Sequence, residues 1–173
     1  NFDPILFRSA IEIADRIKNR KVTCQYLVNQ YIDMIEQTNE ELNAIVGKNY
    51  NDAMVLAKKY DEVIKSFDPQ VDQPLPPFFG VPFLAKDCYE IKGMPYTAGM
   101  VTRTMMIGKE TCPAIQTIID AGGILIGTGN MSEAGMWMES KNCVFGALRR
   151  SDILIKSDIS CDDNFISVIL YFL

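Results

Sequence analysis

The sequence predicts an α/β fold, and three observations support this. Two almost continuous apolar segments, residues 78–85 and 123–128, are typical of strands that are covered on both faces. Between them, residues 111–121 have the pattern of a helix, with Pro113 in its first turn and glycines after its end. Short glycine-rich joins connect strand, helix and strand, which is typical of a parallel pair of strands in an α/β sheet.

The segment that precedes these strands predicts three helices and one short strand. A capping box at residues 9–12 begins the first helix, which continues at helical spacing towards Arg20. A second helix begins at Thr23 and carries an apolar stripe with the spacing i, i+4, i+7 and i+8. Residues 44–46 predict a strand, and Asn51 is predicted to cap a third helix. The residues of this third helix that are predicted to face inwards are Leu56, Tyr60 and Val63.

The composition limits the classes of function. The 173 residues are 48% hydrophobic and 23% charged, which suits a globular domain and excludes a wholly disordered chain. The net charge of −5 and the scattered basic residues disfavour a nucleic-acid partner. Because the sequence contains no histidine, it excludes a Ser-His-Asp triad and His-ligated metal sites. Acid–base chemistry must then use Lys, Asp, Glu, Tyr or Cys, and neither a metal nor a cofactor is predicted.

The cysteines and the longest apolar run point to no special environment. The five cysteines are widely spaced and form no CxxC motif, so free thiols in a reducing compartment are predicted. The longest apolar run, residues 165–173, is about half as long as a membrane span needs to be.

A lysine closes the first apolar segment, in the stretch GVPFLAKD at residues 80–87. Burying an unpaired ammonium costs several kcal/mol, roughly, so this lysine needs an explanation. In one explanation Lys86 forms an ion pair with Asp87 or Glu90, or its head reaches water. In the other, loss of water lowers the pKa of Lys86, and its neutral amine serves as a general base. The strand pattern alone favours the first explanation.

The sequence beyond Lys86 reverses this preference. Four segments follow it in order: GMPYTAG at 93–99, GGILIGT at 122–128, NMSE at 130–133 and MWMESKNCVFG at 136–146. Together with GVPFLAK, these segments resemble the amidase signature family of Ser-Ser-Lys hydrolases. The stretch that begins at Met136 most resembles the second type of animal fatty-acid amide hydrolases. The resemblance extends from about residue 6 to residue 146.

The resemblance implies a fold, an activity and two site residues. The fold is a set of helices packed on a mixed, mainly parallel sheet, of which residues 1–146 form the N-terminal part. The activity is hydrolysis of carboxylic amides, with fatty-acid amides as the substrate class, through an acyl-serine intermediate. Lys86 matches the catalytic lysine, which removes the nucleophile's proton through a bridging serine. Met136 matches a region that lines the acyl pocket and so becomes a substrate-binding candidate, although without the resemblance Met136 and Trp137 would be assigned to the core.

The match ends at Gly146, so residues 147–173 are treated as a divergent tail. All eleven glycines and all eight prolines lie at or before Gly146. The glycine-flanked serines of the family, which carry the bridging and nucleophilic hydroxyls, do not occur in these 173 residues. The serines of the tail, none of which has a glycine neighbour, are Ser151, Ser157, Ser160 and Ser167. The sequence therefore predicts a truncated product without turnover, in which both apolar strands keep unpaired, aggregation-prone edges.

Several alternatives stay open. The chain could be a non-catalytic binding or regulatory fragment that pairs with a full-length relative, or an incomplete gene model without a stable product. An amidotransferase-type amidase, which acts on charged tRNA, carries the same lysine, but the acidic charge balance disfavours it. A cysteine nucleophile, Cys88 or Cys143, would lack a histidine to lower its thiol pKa. The resemblance also leaves open homo-oligomerisation, and a position on the cytoplasmic side or at a membrane through a segment before Asn1.

Overall fold

The computed structural model describes residues 2–149 and confirms the predicted α/β fold. The described elements, in chain order, are α1 (Ala10–Lys18), α2 (Cys24–Leu42), β1 (Ile45–Lys48), α3 (Tyr50–Ser66), β2 (Pro82–Lys86), α4 (Pro113–Asp120), β3 (Ile124–Gly129), β4 (Lys141–Asn142) and β5 (Gly146–Ala147). Single 3-10 turns lie at Pro4–Phe7, Val101–Arg103 and Glu133–Gly135. The four tail serines and the apolar run 165–173 lie outside the described residues, so the boundary at residue 147 stays a prediction.

The first two helices begin where the sequence predicts. At α1 the Ser9 hydroxyl accepts the Glu12 N–H at 3.3 Å, while the Glu12 carboxylate accepts the Ser9 N–H at 3.2 Å. This reciprocal capping box satisfies two N–H groups that the helix itself leaves unpaired. At α2 the Thr23 hydroxyl accepts the Tyr26 N–H at 3.1 Å. Both helix starts are therefore determined by local side-chain chemistry.

The start of the third helix is predicted two residues too late. Asn49, and not Asn51, is the N-cap of α3. The Asn49 backbone N–H donates to the Ile126 carbonyl at 2.7 Å, and its side-chain amide donates to the Leu125 carbonyl at 3.0 Å. These bonds attach the start of α3 to β3, and a partner on a distant strand cannot be read from the local sequence.

The buried stripe of α3 also differs from the prediction. Val63 is 38% exposed, so its inward assignment is wrong, and Leu56 and Tyr60 are only partly buried. The residues of α3 that are buried are Ala53, Ala57, Asp61 and Ile64. Asp61 is drawn inwards because its carboxylate accepts the N–H groups of Cys24 at 2.6 Å and Gln25 at 3.0 Å, at the start of α2. A buried carboxylate on this helix rotates the stripe by one residue.

The three-stranded sheet is mixed, as predicted, and has the order β1-β3-β2. β2 and β3 pair in parallel through the crossover helix α4, whereas β1 pairs with β3 in the antiparallel direction. β3 is thus central and paired on both sides, so the prediction of an unpaired edge at residues 123–128 is wrong. Within the described part of the chain, β2 has β3 as its one strand partner.

The two faces of this sheet pack against separate apolar clusters. The larger cluster contains buried residues of the three N-terminal helices together with Leu84, Ile124 and Ile126. The smaller cluster contains Phe83 and Leu125, with Ile115 of α4. Because successive side chains of a strand point to opposite faces, β2 and β3 contribute to both clusters. This confirms the prediction that both strands are covered on two sides. Among the described residues, no helix is long and apolar enough to cross a lipid bilayer.

Candidate active site

The candidate catalytic lysine lies at the carboxyl end of β2. Lys86 pairs in register with Gly129, the last residue of β3. Because the two strands are parallel, their carboxyl ends meet at one edge of the sheet, and the residue after β3 comes next to Lys86. The Lys86 ammonium nitrogen lies 3.4 Å from the backbone carbonyl oxygen of Asn130, to which it donates. Polar groups gather at this edge in the way that ligand sites do in α/β sheets.

The Lys86 amine is partly buried and has no carboxylate partner. Burial lowers the pKa of Lys86, and the neighbouring Cys88 thiol opposes this to a smaller extent. Within residues 2–149, the ion pairs are Arg8 with Glu12 and Lys48 with Glu36, so the ion pair expected from the strand pattern does not form. The structure therefore gives Lys86 the environment that favours a neutral amine.

The two acidic residues expected to pair with Lys86 have other partners. Asp87 is 1% exposed, and its carboxylate accepts hydrogen bonds from the Thr97 hydroxyl, the Thr97 N–H at 3.1 Å and the Gly99 N–H at 3.4 Å. Glu90 accepts the Lys109 N–H at 2.9 Å. Asp87 thus anchors the glycine-rich loop at 93–99 beside the sheet edge, instead of neutralising the lysine.

A cluster of three asparagines surrounds the carbonyl that faces Lys86, and sequence reasoning missed it. Asn130 follows β3 and is 2% exposed, while Asn142 in β4 is 8% exposed. The Asn142 side-chain amide donates to the Asn130 side-chain oxygen at 2.7 Å. The Asn130 side-chain amide in turn donates to the Asn43 carbonyl at 3.1 Å. The only signal in the sequence was that Asn43 follows a helix and Asn130 a strand, since their contacts depend on the fold.

The second candidate residue is not brought to Lys86 by any described contact. Met136 and Trp137 are each 75% exposed, so the expectation that they would be core residues is wrong. They lie on a segment beyond the sheet edge, where the Ser132 hydroxyl donates to the Trp137 carbonyl at 2.9 Å. A cavity of about 520 Å³ opens at this segment; its lining residues are Glu133, Trp137, Met138, Glu139, Lys141, Asn142 and Cys143. Met136 adjoins this cavity in sequence, and its role in substrate binding stays a prediction.

The thiols offer a poorer nucleophile than the sequence allowed. Burial raises the pKa of Cys88, which keeps its thiol protonated at neutral pH. Cys143 is exposed beside the cavity. In residues 2–149, no group of three or more His, Cys, Asp or Glu side chains is placed to hold a metal ion. The chemistry that this site can carry out is thus proton transfer at the amine of Lys86.

Comparison with known proteins identifies the class. The family model described as Amidase matches residues 26–151, so the chain belongs to the amidase family, as its sequence motifs predicted. Among solved structures, a bacterial aryl acylamidase of the amidase signature family is similar with a TM-score of 0.76 and 28% identity, covering 86% of this chain and 30% of the other. A structure described as fatty acid amide hydrolase has a TM-score of 0.75 at 16% identity, over 84% of this chain and 25% of the other, and supports the fold alone.

The similar sequences include two functional types. Fatty-acid amide hydrolase 2 of Homo sapiens is 34% identical over 146 residues, which are 83% of this chain and 27% of that protein. Fatty-acid amide hydrolase 2-A of Danio rerio is 32% identical over the same shares of the two chains. One glutamyl-tRNA(Gln) amidotransferase subunit, from Lachnospira eligens, is 31% identical over 84% of this chain and 29% of that protein. The chain thus spans between a quarter and a third of the length of these relatives.

Proposed function

We propose that these residues form the lysine-bearing part of a hydrolase of carboxylic amides, in which Lys86 is the general base. One observation carries the proposal: the Lys86 amine lies partly buried at the carboxyl end of β2, without a carboxylate partner in the described structure, and burial lowers its pKa. A base of this kind replaces the imidazole that the sequence lacks.

The proposed reaction follows the Ser-Ser-Lys scheme of the family. The neutral amine of Lys86 accepts the proton of a bridging serine, which takes the proton of the nucleophilic serine as that oxygen bonds to the amide carbon. The C–N bond then breaks, and the proton returns from the ammonium to the leaving amine. Water releases the acid from the acyl-serine by the same relay. In this scheme Lys86 gains and loses one proton in each half-reaction.

The proposed substrate class is that of fatty-acid amides. Two of the similar proteins are named fatty-acid amide hydrolase 2. The exposed apolar side chains of Met136, Trp137 and Met138 lie at and around the 520 Å³ cavity, where an acyl chain could pack. Met136 is proposed to contact that chain. An amidotransferase-type amidase is the second candidate, because one relative carries that name, but the net charge of −5 offers little attraction to tRNA.

The general-base role is tested by titrating the lysines. In the 173-residue chain labelled with ¹³C at lysine Cε, one lysine signal is expected to titrate below the ordinary value of about 10.4. That signal should disappear in the variant Lys86→Met and remain in Lys92→Met, which replaces an exposed lysine. If every lysine titrates near the ordinary value, the amine is not dry and the base role is wrong.

A fluorophosphonate probe tests where the nucleophile lies. Because no glycine-flanked serine occurs in these 173 residues, a polypeptide of this sequence alone is expected to take up no probe and to hydrolyse no amide. Serine labelling that requires Lys86 would overturn this expectation and place the nucleophile among the serines of the chain. Labelling that is equal in Lys86→Met would reflect unspecific reactivity and would leave the expectation intact. Membrane association and homo-oligomerisation stay predictions.

A further inference from the structure

The carbonyl that faces Lys86 belongs to a peptide unit that is held from its other side. The peptide unit joins Asn130 to Met131, and the Met131 N–H donates to the Asn130 side-chain oxygen at 2.9 Å. In a trans peptide the N–H and the C=O point in opposite directions. Fixing the Met131 N–H therefore fixes the direction of the Asn130 carbonyl, which accepts from the Lys86 amine at 3.4 Å.

Asn142 holds this peptide unit in place. Its side-chain amide donates to the Asn130 side-chain oxygen at 2.7 Å and to the Met131 carbonyl at 2.8 Å. Its side-chain oxygen accepts the N–H groups of Val144 at 2.9 Å and Phe145 at 2.7 Å. One buried amide thus links the β4–β5 hairpin to both residues of the peptide unit that faces the lysine. In such a dry environment each of these hydrogen bonds strongly favours one geometry.

We propose that Asn142 is a positioning residue, which acts through Asn130 to orient the amine of Lys86. The proposal rests on the base role of Lys86 in the proposed function. A neutral amine has two N–H donors and one lone pair, and a general base must direct the lone pair at the proton that it removes. When one N–H of Lys86 donates to a fixed carbonyl, the lone pair points away from the 130–131 peptide. Without Asn142 the carbonyl loses its fixed direction and the amine samples several orientations.

The test is the magnetic equivalence of the two Hε protons of Lys86, observed in the full chain with labelled lysine. A held amine gives two separate Hε signals, and a freely rotating one gives a single averaged signal. We expect two signals in the unmodified chain and one in Asn142→Leu. This substitution changes no charge, so the charges of Asp87 and Cys88 next to Lys86 act equally in both proteins.

Asn43→Gly is the matched control. Asn43 ends α2 with a φ of 53°, a conformation that glycine adopts without strain. Its side chain anchors the same hairpin through the carbonyls of Phe145 at 2.7 Å and Ala147 at 3.1 Å. The substitution removes those two bonds and leaves the Asn142–Asn130 bond, so the two Hε signals should remain. If they also merge in Asn43→Gly, or stay separate in Asn142→Leu, the positioning role is wrong.

A second measurement needs no variant and decides the matter if Asn142→Leu does not fold. As Lys86 titrates, the ¹³C′ shift of Asn130 and the side-chain amide protons of Asn142 should move with the same midpoint. Flat curves for Asn142 would overturn the proposal. The outcomes also separate the two proposals: an ordinary pKa for Lys86 refutes the base role, whereas a lowered pKa with Hε signals that ignore Asn142 refutes only the positioning role.

Discussion

The helical layer and the carboxyl edge of the sheet are stabilised in different ways. In the helical layer, α1, α2 and α3 bury apolar stripes against one face of the sheet, and Ile13 and Leu27 there are completely buried. At the carboxyl edge, the buried residues include Asp87, Asn130 and Asn142, each held by several hydrogen bonds. Apolar burial tolerates some change of shape, whereas a buried polar network fails when one member is lost. The lysine lies in the less tolerant region.

The largest expected effect tests the helical layer. Ile13 is completely buried in α1, while Ile11 in the same helix is 73% exposed. Ile13→Ala should lower the free energy of unfolding by about 2–5 kcal/mol, because it removes buried methyl groups and leaves a cavity. Ile11→Ala should change it by less than about 0.5 kcal/mol. Urea denaturation of the two variants measures the difference, and equal losses would contradict the assignment of the α1 core face.

A smaller effect tests the strand that joins the two regions. An alanine Cβ at Gly127 would lie 2.3 Å from the Gly47 carbonyl oxygen, so β1 approaches β3 too closely for a side chain. Gly127→Ala should cost about 1–3 kcal/mol of unfolding free energy through overpacking. At Gly129 the nearest atom would be 3.6 Å away, so Gly129→Ala should be tolerated. If both variants are equally stable in urea, β1 does not pair with β3 in this register.

The same contrast explains how much of the molecule could be predicted from the sequence. Helix starts at Ser9 and Thr23, and the crossover helix with Pro113, follow from side chains next to the backbone groups that they satisfy. The inward position of Asp61 could not be predicted, because its partners begin a different helix.

The candidate site divides in the same way. Lys86 was recognised because a charged residue in an apolar strand is conspicuous in the sequence itself. The asparagine cluster was not, because Asn43, Asn130 and Asn142 meet only after three distant segments have folded. Met136 and Trp137 were expected in the core because large apolar residues usually are buried. Both lie beyond the sheet edge, outside the two clusters that cover its faces.

The smallest effect concerns the stability that Lys86 costs. Burial lowers the pKa of Lys86 in the folded chain, so the folded state disfavours the ammonium relative to the unfolded state. This cost is complete below the folded-state pKa, falls as the pH rises through it, and vanishes above the unfolded value of about 10.4. Lys86→Met should therefore stabilise the chain most at neutral pH, by about 1.4 kcal/mol for each unit by which the pKa is lowered.

The dependence of this gain on pH separates charge from packing. A methionine also adds apolar contacts, but that contribution is the same at every pH, so the difference in unfolding free energy between pH 7 and pH 10.5 isolates the ammonium. Urea titrations at several pH values measure it, and Lys92→Met, at an exposed position, should show no such trend. A gain at Lys86 that is constant with pH would mean that the amine is hydrated in the folded chain, and that the carboxyl edge is no drier than the surface around it.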